Sequence, residues 1–159
     1  MADIIAIAGD TGSGKSTSIK NLNPQETFIV SIIGKPLPFP GYKKKYIPLF
    51  KTETGNWEGN YYKSANIENI IKIFTVVDKL RPEIKQIVID DSNYLMSCET
   101  MDRVSEKGYE KFTQIASHYY TLIMSAAQLR DNLKVIFLSH TENVGDILNP
   151  KFKLKTSGK

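Results

Sequence analysis

Cysteine is nearly absent from this chain. Cys98 stands alone, so no disulfide can form within the chain and a cysteine-built metal site is not expected. Arginine is scarce as well. Arg81, Arg103 and Arg130 are the only three, and none falls in a segment that reads as a lid over a transferred phosphate. Histidine occurs only at His118 and His140. No apolar run approaches the length of a membrane span, and no repeat, low-complexity segment or linker is visible. A lone cysteine without a membrane segment fits a reducing, cytoplasmic setting with no membrane partner. The formal charge of +4 is mild; it permits a polyanionic partner without demanding one. What remains is ordinary globular material. The 159 residues are 41% hydrophobic and 24% charged, enough for a single domain, 1–159, with a real core.

Against that background one stretch stands out. Gly9-Asp10-Thr11-Gly12-Ser13-Gly14-Lys15-Ser16-Thr17 fits the G-x-x-x-x-G-K-[ST] pattern at every fixed position. It follows the apolar run Ile4-Ile5-Ala6-Ile7-Ala8, which reads as a buried strand, and it precedes a segment able to open a helix. Strand, glycine loop and helix start together make a phosphate cradle. Gly12 and Gly14 let successive N–H groups turn inward. Lys15 would reach the outer phosphates, and Ser16 would offer its hydroxyl to Mg²⁺. A glycine turn that happens to carry a lysine is the plain alternative; strand and helix signals on both sides argue against it.

A second run supports the first. Ile87-Val88-Ile89 leads straight into Asp90-Asp91, a buried strand delivering acids to its C-terminal end, where open parallel sheets bind ligands. Asp90 is the expected Mg²⁺ ligand, and Asp91 a candidate for polarising an attacking water. Glu53, in the polar loop 52–62, is the rival base. The apolar run 133–138 ends in Ser139-His140-Thr141-Glu142, and His140 or Ser139 at that tip would face the outermost phosphate. A histidine that merely caps the next turn is the alternative. His118 lies on an amphipathic helical pattern and receives no role.

The rest of the chain alternates strands and helices, which implies α/β with a mainly parallel sheet. Residues 27–33 read as a strand. Asn66 or Ser64 caps a helix bearing Ile67, Ile70, Ile71, Phe74, Val77 and Leu80 on one face, and a long helix follows Gly108. The prolines and glycines of residues 34–46 exclude a helix there. That loop is basic, with Phe39, Tyr42 and Tyr46 between its lysines. It reads either as a nucleic-acid contact with stacking on those rings or as a solvated turn whose rings lie on the body. The tail from Pro150 alternates charged and apolar residues and reads as a strand or hairpin arm. A sheet of this pattern normally needs another strand to close its edge, so the chain is expected to be C-terminally shortened.

The phosphate loop, the run Ile87-Val88-Ile89-Asp90-Asp91-Ser92-Asn93-Tyr94-Leu95-Met96, the stretch 106–112 and the strand ending Ser139-His140-Thr141-Glu142 resemble the phage-encoded, RecA-like ATP-binding proteins. That AAA-type group includes short phage recombinases that anneal single strands. The resemblance covers nearly the whole chain. It implies a three-layer P-loop NTPase with a RecA-like core, ATP and Mg²⁺ as cofactors, and a ring or filament. Less directly, it implies work on DNA in recombination, repair or replication, inside a bacterial host. Members usually continue past a Thr-x-Gly-Lys like Thr156 to Lys159. Such ATPases hold nucleotide between subunits, so a head-to-tail oligomer in which Lys155 or Lys159 completes the neighbouring site is expected. The rival classes are a nucleoside or nucleotide kinase, which the shortage of arginine disfavours, and a non-hydrolysing scaffold of phage assembly.

Overall fold

The computed structural model describes residues 1–146 and 148–155. Its centre is a six-stranded sheet built from β1 (Asp3–Gly9), β2 (Thr27–Ser31), β5 (Tyr61–Lys63), β6 (Gln86–Asp90), β7 (Lys134–Asn143) and β8 (Phe152–Leu154). The order across the sheet is β1-β7-β6-β2-β5, with every neighbour in that row parallel, while β8 lies antiparallel on the end of β7. A small hairpin of β3 (Phe50–Lys51) and β4 (Trp57–Glu58) sits before β5.

Side-chain alternation sorts the strands' residues between two faces. Phe28, Val30, Ile87, Ile89, Val135 and Phe137 point to one face. There they meet α3 (Ile67–Leu80), α4 (Tyr94–Asp102) and α5 (Glu110–Ala127) through Ile70, Phe74, Val77, Leu95, Leu122 and Ala126. Ile29, Val88 and Leu138 point to the other face and meet Ile19, Leu37, Phe39 and Tyr46. That second layer is thin. It consists of α1 (Lys15–Ser18), one 3-10 turn over Ile19–Asn21, and the loop that follows β2.

The α3 boundaries follow their local chemistry. The Asn66 side chain accepts from the Asn69 N–H at 2.9 Å, which caps the start. At the other end Arg130 acts as a clamp. Its Nη1 donates to the carbonyls of Val77 and Asp78, each at 2.8 Å, and its Nη2 donates to Arg81 and Ile84. The carbonyls of Val77 and Arg81 also accept backbone N–H groups, so the guanidinium adds a second bond there and ties the end of α3 to the turn that follows it.

Three expectations need correction. The apolar run 4–8 forms β1 as expected, but β1 is the end strand of the sheet and Ile4 and Ile7 are exposed, not buried. The loop 34–46 is not free of helix: Gly41 takes φ +74 and launches one turn, α2 (Tyr42–Lys45). The polar loop 52–62 contains β4 and the edge strand β5, which short, polar, aromatic stretches did not announce. Of the two readings of the 34–46 loop's rings, the packed one holds: Phe39 and Tyr46 are buried, with Phe39 edge-on to both Tyr42 and Tyr46 at 6.2 and 6.4 Å. These two rings pack on the body and offer no platform to a base, whereas Lys43, Lys44 and Lys45 remain exposed. The tail does form a hairpin arm, β8. Lys159 and the Thr-x-Gly-Lys ending lie outside the described residues.

Removing the clamp takes a donor from four carbonyls, two of which keep a backbone partner. Arg130→Ala is expected to lower stability by roughly 2–4 kcal/mol, with Arg130→Lys recovering only part, as read by chemical denaturation.

Candidate functional site

The parallel order sets four strand ends side by side. The phosphate loop leaves β1, His140 lies near the end of β7, Asp90 and Asp91 end β6, and Gly34-Lys35 follow β2. They border one cleft of about 190 Å³, lined by Thr11, Gly12, Gly14, Lys15, Ser16, Thr17, Lys35, Pro38, Asp91 and His140. Its place at the carboxyl ends of parallel strands is where such sheets bind ligands.

The loop has the conformation its glycines allow. Gly12 and Gly14 take φ +81 and +89, where a side chain would be strained. Asp10 anchors the loop, its carboxylate accepting from the Thr141 hydroxyl at 2.5 Å. Lys15 Nζ lies in the loop's mouth, donating to the carbonyls of Gly9 and Asp10 at 2.7 and 2.8 Å and to Ser13 Oγ at 3.3 Å. The helix behind the loop is shorter than expected, with α1 spanning four residues. The cradle therefore rests on the loop's own amides and Lys15 more than on a helix dipole.

Across the cleft, Ser16 Oγ donates to Asp90 Oδ1 at 2.7 Å. Burial pushes the Asp90 carboxyl above the usual carboxylate range, and the bond from Ser16 works against that push. A hydroxyl and a carboxylate in contact are hard oxygen donors of the kind Mg²⁺ takes, the ion finding its other oxygens on phosphate and water. The residues present fit that ion. Among the described residues no group of three or more His, Cys, Asp or Glu could hold a metal by itself, so the ion would depend on the phosphates.

Asp91 is the one non-glycine residue with positive φ among the described residues, at +62. Alternation along a strand would send Asp90 and Asp91 to opposite faces. The left-handed turn, which aspartate tolerates better than most residues, instead brings both to the same cleft. Both Asp91 oxygens are engaged. Oδ1 meets His140 Nε2 at 3.1 Å and Oδ2 meets Lys35 Nζ at 2.7 Å. His140 Nδ1 lies 3.4 Å from Lys15 Nζ. An ammonium only donates, so Nδ1 is the acceptor and Nε2 carries the proton given to Asp91. Ser92 and Asn93 hold this arrangement in place. The Ser92 hydroxyl bonds the Leu138 carbonyl and Ser139 Oγ, and Asn93 Oδ1 accepts from the His140 N–H.

Most of the expected residues thus meet: the phosphate loop, Lys15, Ser16, Asp90, Asp91 and His140. Ser139 is spent on Ser92. Glu53 is not brought to the cleft; it is exposed in the turn between β3 and β4, beyond β2 on the sheet's β5 side. Lys155 lies close by, its backbone N–H donating to the His140 carbonyl at 2.8 Å. Sequence reasoning missed Lys35, having grouped it with the basic loop. The available signal was its position, directly after a buried parallel strand and Gly34. A larger cavity, about 400 Å³, lies among α3, α4 and α5. Its Glu68, Glu99 and Asp102 have the wrong sign for a phosphate.

No protein-family model matches the chain, and no curated protein matches it. Among solved structures, 38 chains match. One is the pCW3 conjugation coupling protein TcpA, in a monomer form with ATPγS, at 15% identity and a TM-score of 0.46. The match covers 86% of this chain and 42% of that one.

The buried Asp90 charge costs the fold stability. Because its pKa is raised on folding, the folded chain holds that proton more tightly than the unfolded chain does, and this group removes stability as pH rises from about 4. Asp90→Asn should therefore raise the melting temperature at neutral pH, by roughly 1 kcal/mol of stability, with the gain shrinking toward pH 4. Thermal scans at several pH values without nucleotide read this directly.

Proposed function

We propose that this chain binds ATP with Mg²⁺ through the 9–17 loop and hydrolyses it. The observation that carries the reading is the Ser16–Asp90 contact at 2.7 Å, facing a loop whose Gly12 and Gly14 are left-handed and whose mouth holds Lys15. One cleft thus offers an amide cradle for phosphate, an ammonium for its charge and two hard oxygens for a divalent ion. Mg²⁺ held there would supply charge neutralisation between phosphate oxygens. The chain's own residues do the rest by positioning. Lys15 has donors free to exchange from loop carbonyls to phosphate, Asp90 and Ser16 fix the ion, and His140 sits between Lys15 and Asp91.

The finer reading is a RecA-like ATPase of phage type that works on DNA as a head-to-tail ring or filament; within it, a role for Asp91 in polarising the attacking water has less support, because both its oxygens are engaged by His140 and Lys35. Support for the finer reading is the resemblance of the motifs and the exposed Lys43, Lys44 and Lys45, which suit phosphate contacts. A lysine of the tail, Lys155 or Lys159, completing a neighbour's site belongs to the same proposal. The kinase alternative has less support. Arg81 is held by Glu83 and the Gly59 carbonyl, Arg103 by Glu99, Glu106 and Gln114, and Arg130 by α3. No arginine among the described residues is left to cover a transferred phosphate. Among the described residues no helix is long and apolar enough to cross a membrane.

Lys15→Ala should cut affinity for Mg²⁺-ATP by about a hundredfold or more in calorimetric titration, with circular dichroism unchanged. Unaltered binding would overturn the assignment. For the DNA reading, replacing Lys43, Lys44 and Lys45 together with alanine should weaken single-strand binding. The log–log salt slope should flatten by about two; binding that overlays the parent across a salt series would remove that loop from the account.

A further inference from the structure

Lys35 stands apart from the other lysines. It is the only cation besides Lys15 among the residues lining the phosphate cleft. It follows Gly34, whose φ of +69 turns the chain sharply off β2, and the Ser31 hydroxyl braces that turn by accepting the Gly34 N–H at 3.1 Å. Its ammonium lies 2.7 Å from Asp91 Oδ2 and 5.9 Å from the centre of the Tyr94 ring. The two partners are unequal. The Asp91 side chain is 6% exposed and that of Lys35 is 51% exposed. A buried carboxylate in a left-handed turn is a fixed point, whereas a half-exposed lysine on a four-carbon stem can move.

We infer that Lys35 is the second cation of the site, positioned by Asp91 to contact the terminal phosphate of a nucleoside triphosphate, and that it makes the site prefer triphosphate over diphosphate. This rests on the nucleotide reading above. Lys15 belongs to the loop and serves the phosphates that tri- and diphosphate share. Lys35 comes from a different strand end, across the cleft from the loop and beside Asp91. An ammonium has three donors. One is given to Asp91, and Lys35 lines the cleft. Asp91 then has a structural explanation for its strained backbone, because it is anchored between His140, which contacts Lys15, and Lys35. A single carboxylate holds both cationic arms in register. The hydrogen bond to Asp91 also raises the Lys35 pKa, so the arm stays charged at neutral pH. With all three arginines committed elsewhere, Lys35 supplies this positive charge from within the chain.

The test compares ATPγS with ADP, both with Mg²⁺, by calorimetric titration of the full chain. Lys35→Ala should weaken ATPγS at least about tenfold and leave ADP affinity unchanged, and Lys35→Arg should restore most of the preference. Lys15→Ala should weaken both nucleotides. A Lys35 that only braces Asp91 would lower the affinity for ATPγS and ADP together, or for neither, and an unchanged ratio of the two affinities in Lys35→Ala overturns the inference. A parent protein that binds neither nucleotide removes the nucleotide reading itself, and this inference with it. That failure is seen in the parent before any variant is compared.

Discussion

The site depends on one backbone turn. Two consecutive aspartates at a strand end would ordinarily face opposite sides of the sheet, and only one would reach a ligand. The φ of +62 at Asp91 breaks that alternation. It leaves Asp90 on the face that carries Ser16 and swings Asp91 toward His140 and Lys35. Such a conformation costs of order 1 kcal/mol or more and persists where its surroundings over-determine it. Here the surroundings are specific. Ser92 bonds the Leu138 carbonyl through both its N–H and its hydroxyl, and Asn93 holds the His140 N–H. The Asp-Asp-Ser-Asn run is therefore one device that docks the end of β6 on the end of β7.

The sheet order gives this device its reach. β7 lies between the phosphate-loop strand and the acid strand, so His140 sits between the two motifs and touches both, through Lys15 and Asp91. The outcome is a row of alternating charge and dipole across the cleft: Lys15, His140, Asp91, Lys35. Asp90 stands outside that row, bound to Ser16. The two acids thus have separate duties. One sits with an oxygen donor suited to a metal ion, and the other holds the protein's own cations.

How far the sequence led can be judged residue by residue. The acid strand and His140 were legible because each is a short pattern next to a continuous apolar run, and a buried parallel strand announces itself that way; the phosphate loop was legible from its own pattern, since the apolar run before it forms an exposed edge strand. The helix capped by Asn66 was legible for the same reason of periodicity. β5 was not, because an edge strand of three residues with tyrosines needs no apolar run. Lys35 was hidden by its neighbours: prolines and further lysines made it look like part of a solvated basic loop, and only the sheet order shows it at a strand end beside Asp91. The rings of that loop left two readings open, and packing decided between them. Phe39 and Tyr46 among lysines look like a stacking surface, yet the thin second layer needed them to cover Ile29, Val88 and Leu138. Glu53 is not brought to the cleft; a carboxylate in a polar loop carries no information about where that loop will pack.

The division of labour between the two aspartates is the central claim, and it can be measured without turnover. Mn²⁺ in place of Mg²⁺ makes the bound ion visible by electron paramagnetic resonance in the presence of ADP. The account predicts that the parent holds Mn²⁺ with ADP, that Asp90→Asn loses it, and that Asp91→Asn keeps it at the same concentrations. Loss of the ion in Asp91→Asn with retention in Asp90→Asn, or a parent that holds none, would contradict it.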